Sequence, residues 1–81
     1  CFMGTNGISL TAGFTTPDVN EAKVKAAAIE SSREVFVLAD HSKFDEVSSA
    51  TFAGLGKAVI ITDRIPNRKY KEAADITEVG Q

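Results

Sequence analysis

The sequence predicts an α/β domain built on an open parallel sheet with helices on both faces. Two observations carry that reading. Residues 34–40 (EVFVLAD) and 57–63 (KAVIITD) are almost continuously apolar, the pattern of strands covered on both faces of a parallel sheet. The second is the alternation of strand, helix, strand, connection, strand, helix and strand along the chain, which is the order of a doubly wound layer.

Taken in order, Cys1-Phe2-Met3 reads as the end of a buried strand, and the glycine-rich residues 4–16 as a loop built from backbone. Thr16-Pro17-Asp18-Val19-Asn20 is a helix start: Asp18 or Asn20 can cap it, and Asp18 to Glu21 has capping-box spacing. The helix is expected over residues 20–32. Ala22, Ala26 and Ile29 recur at helical spacing and should pack it onto one face of the parallel sheet, where Ala26, Ala27 and Ala28 permit a close approach. The first apolar run then supplies Phe36 and Leu38 to a central strand. Residues 42–56 are too short for a long helix with its loops and read as irregular, with one helical turn. The second run places Val59 and Ile60 in the neighbouring strand. Arg64-Ile65-Pro66-Asn67 opens a short helix ending near Ala74, and residues 75–79 (DITEV) form a last strand.

Composition narrows the function. The chain has 81 residues, 43% hydrophobic and 25% charged, with mean hydropathy −0.04, ordinary globular values that exclude a disordered, collagenous or disulfide-stapled chain. Nine Lys and Arg stand against eleven Asp and Glu, which leaves no basic surplus for a phosphate backbone, so these residues are not expected to bind DNA themselves. Cys1 is the single cysteine, and no Cys/His cluster suggests a metal. A reducing, cytoplasmic setting is expected. The uncharged residues 1–17 are broken by Gly4, Asn6, Gly7 and Gly13 and fall short of the roughly 20 apolar residues of a membrane span. Because the chain opens on an apolar Cys-Phe-Met run without an initiator methionine, it reads as the carboxyl-terminal part of a longer protein.

All charged residues lie from Asp18 onward, and three of the six glycines fall within the first thirteen positions. In such sheets ligands bind at the carboxyl ends of the strands, here after Met3, Ala39 and Thr62. Gly4, Asn6 and Gly7, followed by Thr15 and Thr16, supply free backbone and hydroxyls before a helix amino terminus, where an anion meets N–H groups and a positive dipole. The segment is neither a GxGxxG nor a P-loop, and a loop holding three glycines is most often just a turn-rich crossing. Glu21 and Lys25 stand at i, i+4: a solvated ion pair, or a cation and a carboxylate gripping a phosphate and a hydroxyl. Asp40-His41-Ser42-Lys43-Phe44 sets a polar cluster at a strand end, with Lys43 a ready phosphate ligand or simply solvated. His41 lacks the partners of a catalytic triad and reads as a loop histidine.

These segments are familiar together. The motifs G-x-x-G-I-S, G-x-T-T-P, N-E-A-x-V-K and V-L-A-D-x-S-K-F resemble the effector-binding domain of DeoR-type bacterial repressors of sugar metabolism, over nearly the whole chain. The resemblance implies the carboxyl-terminal half of a sensor for a phosphorylated sugar, with a winged helix-turn-helix upstream that binds an operator, in a homo-oligomeric, cytoplasmic protein without cofactor or metal. That sensor fold is similar to ribose-5-phosphate isomerase and to CoA-transferase-like domains. The isomerase carries an Asp-x-Ser-Lys at the same strand end, where its lysine helps hold the sugar phosphate, so Lys43 inherits that role most directly, with Asp40 beside it among the expected ligand-binding residues. An isomerase-like enzyme is the alternative, but the isomerase's catalytic carboxylate lies beside a run of consecutive glycines that this sequence lacks, and Glu21 sits about one turn too early to shuttle a proton.

Overall fold

The computed structural model describes residues 1–79. Seven strands and two helices follow the order β1 (Phe2–Gly4), β2 (Gly7–Ser9), β3 (Gly13–Thr16), α1 (Val19–Glu30), β4 (Phe36–Leu38), β5 (Ala50–Ala53), β6 (Val59–Thr62), α2 (Arg68–Ala73) and β7 (Asp75–Glu78). Single 3-10 turns occupy His41–Lys43 and Leu55–Lys57. The domain is α/β with a parallel sheet ordered β1-β4-β6-β7. Register runs Phe36↔Val59, Val37↔Ile60 and Leu38↔Ile61, so the two apolar runs are adjacent parallel strands as their pattern predicted.

The glycine-rich opening is not merely a loop. Gly7–Ser9 and Gly13–Thr16 pair as an antiparallel hairpin, and β5 joins them to make a second sheet of order β2-β3-β5. Two features conceal this in the sequence: the strands are only three and four residues long, and glycine and threonine dilute the apolar alternation. Gly13 has a φ of +76°, and a Cβ there would meet the Ala53 carbonyl oxygen at 2.3 Å, so the β3–β5 approach requires glycine. β5 likewise lies where an irregular connection was expected.

The second sheet changes where the first helix rests. Asp18 caps α1, its Oδ1 accepting from the Asn20 and Glu21 N–H groups at 2.8 and 3.3 Å. Ala22 is buried and Ala26 and Ile29 are half-buried against the core, but α1 packs chiefly on β5 and β3 rather than on the parallel sheet. The alanine stripe identified the buried side of the helix and not its partner.

The core lies between the sheets. Val37 and Ile60 point inward from β4 and β6, and meet Ile8, Phe14, Phe44, Phe52, Leu55 and Tyr70. Tyr70 is the one buried residue of α2 and is wholly enclosed. The opposite side of the parallel sheet carries the alternate residues: Phe2 stacks on Phe36 at 5.0 Å between ring centroids, and Phe2 and Leu38 are exposed. The expected buried strand at the start of the chain is thus a strand, β1, lying at the sheet edge with Phe2 open to solvent. Apolar character along a strand states that both sides suit burial; within residues 1–79 one side is covered.

Candidate functional site

Parallel pairing decides which loops meet. Gly4 aligns with Leu38, and Leu38 with Ile61, so the segments leaving β1, β4 and β6 all start from one edge of the sheet. That edge brings together the Thr5-Asn6 turn, the Asp40–Lys43 segment and Asp63. Phe44 forms a parallel bridge to Ile8, which folds the segment after β4 back toward the start of the second sheet.

On the β1 side the predicted residues form one hydrogen-bonded network. Thr16 Oγ1 donates to Glu21 Oε1 at 2.6 Å and lies 3.3 Å from Asn6 Oδ1. Lys25 Nζ donates to the Gly4 carbonyl at 2.7 Å, stands 3.5 Å from Glu21 Oε1, and sits 5.0 Å above the centre of the Phe52 ring. The Thr16 hydroxyl, and then the Lys25 charge, hold the Glu21 carboxyl below its ordinary value. Glu21 therefore does not complete a capping box; its carboxylate turns to Thr16. It is a fixed anion, and Lys25 is a strap tying α1 to the end of β1.

Gly7, Thr15 and Thr16 are buried. A Cβ on Gly7 would lie 2.2 Å from the Glu46 carbonyl oxygen. Thr15 Oγ1 accepts from the Ser48 N–H at 3.0 Å, and its carbonyl accepts from Thr5 Oγ1 and from the Asn6 N–H. These groups are spent on the fold. Gly4, Asn6, Asp40 and half-exposed Lys43 stay accessible.

On the β4 side Asp40 caps the 3-10 turn, accepting from the Ser42 N–H at 2.9 Å and from the Ser42 hydroxyl. Those two bonds keep its carboxyl below the usual value. Sequence reasoning passed over the next contact. Asp63 grips His41 twice, Oδ1 accepting from the His41 N–H and Oδ2 meeting ring Nδ1, both at 2.7 Å. The imidazole bond, opposed by partial desolvation, takes the Asp63 carboxyl down to about 2. A signal was present, since both apolar runs end in aspartate and parallel pairing had to bring those ends side by side. Behind the edge, Tyr70 Oη donates to Asp45 Oδ1 at 2.6 Å and accepts from the Asp45 N–H at 3.1 Å, bracing the segment that carries Lys43. Asp45 has a φ of +68°, a left-handed backbone that Asp tolerates better than bulkier residues.

A separate concavity lies elsewhere. A cleft of about 480 Å³ is lined by Ala26, Ile29, Arg33, Phe52 and Lys57, at the amino ends of β4 and β6. It follows from the gap between α1 and the sheets and gathers none of the predicted residues.

The DeoR C-terminal sensor domain matches residues 1–64. This chain belongs to that family. It is 56% identical over 61 residues to a transcriptional regulator of Bacillus subtilis named uncharacterized HTH-type FruR, covering 75% of this chain and 24% of the regulator. It is 32% identical over 80 residues to the HTH-type transcriptional regulator IolR of the same organism, covering 98% of this chain and 32% of IolR. It is 35% identical over 82 aligned positions to the HTH-type transcriptional regulator GlpR of Haloferax volcanii, covering 96% of this chain and 32% of GlpR. The sensor-domain chain thus spans about a quarter to a third of the length of these relatives. The family is a sensor family and the relatives are named as regulators, not as enzymes. Among the described residues of the sensor domain no helix is long and apolar enough to cross a membrane, and no cluster of three or more His, Cys, Asp or Glu could hold a metal.

Proposed function

We propose that this chain is part of the effector-binding domain of a DNA-binding repressor of carbohydrate metabolism, and that the effector is a phosphorylated sugar. The observation that carries the reading is Lys43: a half-exposed lysine without a carboxylate within ion-pair distance among the described residues, at the carboxyl edge of the parallel sheet. A cation placed at that edge, which the accessible Gly4 and Asn6 share, suits a phosphate dianion. Glu21 speaks against an isomerase-like enzyme. Held by Thr16 and Lys25 with a lowered pKa, it is suited to accept a hydrogen bond from a hydroxyl and poorly suited to take and return a proton. DNA binding is assigned to a helix-turn-helix elsewhere in a cytoplasmic, homo-oligomeric regulator, because this chain is acidic overall. An effector coupling of about 1–3 kcal/mol suffices to change operator affinity about 5- to 150-fold.

Titration calorimetry on the full-length protein tests the site. Lys43→Ala should weaken binding of a sugar phosphate by roughly ten- to a hundredfold, the equivalent of one charge-assisted hydrogen bond of about 1.5–3 kcal/mol, while leaving the far-ultraviolet circular dichroism unchanged. Equal affinities for wild type and variant would remove Lys43 from the site.

A further inference from the structure

We propose that His41, oriented by Asp63, is itself an effector contact, and that it takes up a proton when a sugar phosphate binds. This deepens the reading above and rests on it.

The pair joins the segments that leave β4 and β6, at the same edge as Lys43. Asp63 is an ionised carboxylate throughout the physiological range, so both of its bonds to His41 are accepted ones. Ring Nδ1 must then carry the hydrogen, which leaves Nε2 as the free nitrogen. Thr62 Oγ1, 3.2 Å from Asp63 Oδ1, fixes the carboxylate from behind. The side chain of His41 is 41% exposed although Nδ1 and the backbone N–H are both engaged, so the unengaged edge of the ring is the accessible one. A strap between two strand ends would need only the backbone bond. Asp63 in addition holds the ring in one orientation and one tautomer.

Neutral, Nε2 offers a lone pair; protonated, it offers a second cation on the segment that carries Lys43. The charged groups around it are Asp40 and Lys43 on its own segment, Asp63 and Arg64 after β6, and Glu78 on β7, whose carboxylate accepts from the Ile65 N–H at 2.9 Å. Asp40 is committed to Ser42 and Glu78 to Ile65, so Asp63 is the anion that would stabilise an imidazolium. A phosphate dianion on the open side of the ring would complete the pairing and favour the imidazolium, with the proton taken from solvent.

The test is calorimetry of the full-length protein at pH 7.5, in buffers of different ionisation enthalpy, with glucose 6-phosphate, fructose 6-phosphate and fructose 1-phosphate as probes. The best-binding probe should be taken up with a net gain of up to about one proton by wild type. His41→Gln, which keeps a polar side chain but does not titrate, should lose that gain and bind about tenfold more weakly. Asp63→Asn should reduce both effects while chemical denaturation checks that it folds. If a probe binds and His41→Gln matches wild type in affinity and proton uptake, the His41 assignment is overturned and the sugar-phosphate site stands. If wild type binds none of the probes, the sugar-phosphate reading fails and this inference with it.

Discussion

Replacing Tyr70 by phenylalanine isolates a single bond that holds the candidate site in place. The ring stays: it is fully buried and meets Phe44 edge-on at 4.8 Å between centroids. The hydroxyl has one proton and two possible acceptors, Asp45 Oδ1 at 2.6 Å and the Ile8 carbonyl at 3.2 Å, and the shorter contact to the charged group takes it. Its removal orphans no backbone, because the Asp45 N–H keeps its 2.7 Å bond to the Ile8 carbonyl. The loss is therefore one charge-assisted bond of about 1.5–3 kcal/mol, reduced to about 1–2 kcal/mol because exposed Asp45 regains water. For a domain of this size each kcal/mol moves Tm by about 4–8 °C, so thermal unfolding by circular dichroism should drop by roughly 5–15 °C. A double-mutant cycle with Asp45→Ala should return a coupling of about 1 kcal/mol. Burial, followed by the bond to Asp45, pushes the Tyr70 hydroxyl up to about 12. Its folded value lies above the unfolded value of about 10, so its contribution is complete below pH 10 and is lost as pH rises toward 12. Tyr70→Phe should lack that alkaline limb. A shift under about 2 °C with no coupling to Asp45 would refute the claim that this bond braces the Lys43 segment.

Three further outcomes are expected. Gly7→Ala should destabilise severely, by several kcal/mol, since its Cβ would overlap the Glu46 carbonyl, whereas Gly4→Ala, with nothing within 4 Å, should fold normally; denaturant titration of both distinguishes a packing constraint from general intolerance at the turn. Thr16→Val removes the largest influence on Glu21, so the Glu21 carboxyl midpoint, followed by carbon-13 NMR, should rise toward its ordinary value, and an unchanged midpoint would disprove the Thr16 contact. Asp63 should titrate near pH 2 in wild type and closer to the usual range in His41→Ala; because its folded value is depressed, the stability it lends is present above about pH 4 and is lost as pH falls through 2.

The legible and illegible parts of the fold divide by length and by contrast. The runs containing Phe36–Leu38 and Val59–Thr62 were readable because an unbroken apolar stretch too short for a helix suits little besides a buried strand. A cap at Asp18 or Asn20 was readable because capping is a purely local arrangement, and it is Asp18 whose Oδ1 serves the N–H groups two and three residues on. The hairpin of Gly7–Ser9 and Gly13–Thr16 was not, since its strands are three and four residues long and diluted by glycine and threonine, and the strand that completes their sheet, β5, comes from far along the chain. The same long-range pairing displaced α1 from its expected partner. At the site, sequence spacing grouped Glu21, Lys25, Asn6 and Thr16 correctly as neighbours, yet it could not tell that Thr15 would be buried under Ser48 or that Lys25 would be tied to the Gly4 carbonyl. His41 and Asp63 lie 22 residues apart and meet only because β4 and β6 run parallel in register.

The most direct test of the sensor reading is a thermal-shift panel on the full-length protein, pairing each phosphorylated sugar with the same sugar lacking its phosphate. At a hundredfold excess over the dissociation constant, binding adds about 2.7 kcal/mol of stability, enough to raise Tm by several degrees. The expected result is that one phosphorylated member raises Tm, its free counterpart does not, and Lys43→Ala at the same ligand concentration cuts the added stability to about 0.4–1.4 kcal/mol. Equal shifts from both members of the best pair, or no shift from any phosphorylated sugar, would contradict a phosphate sensor at the carboxyl edge of this sheet.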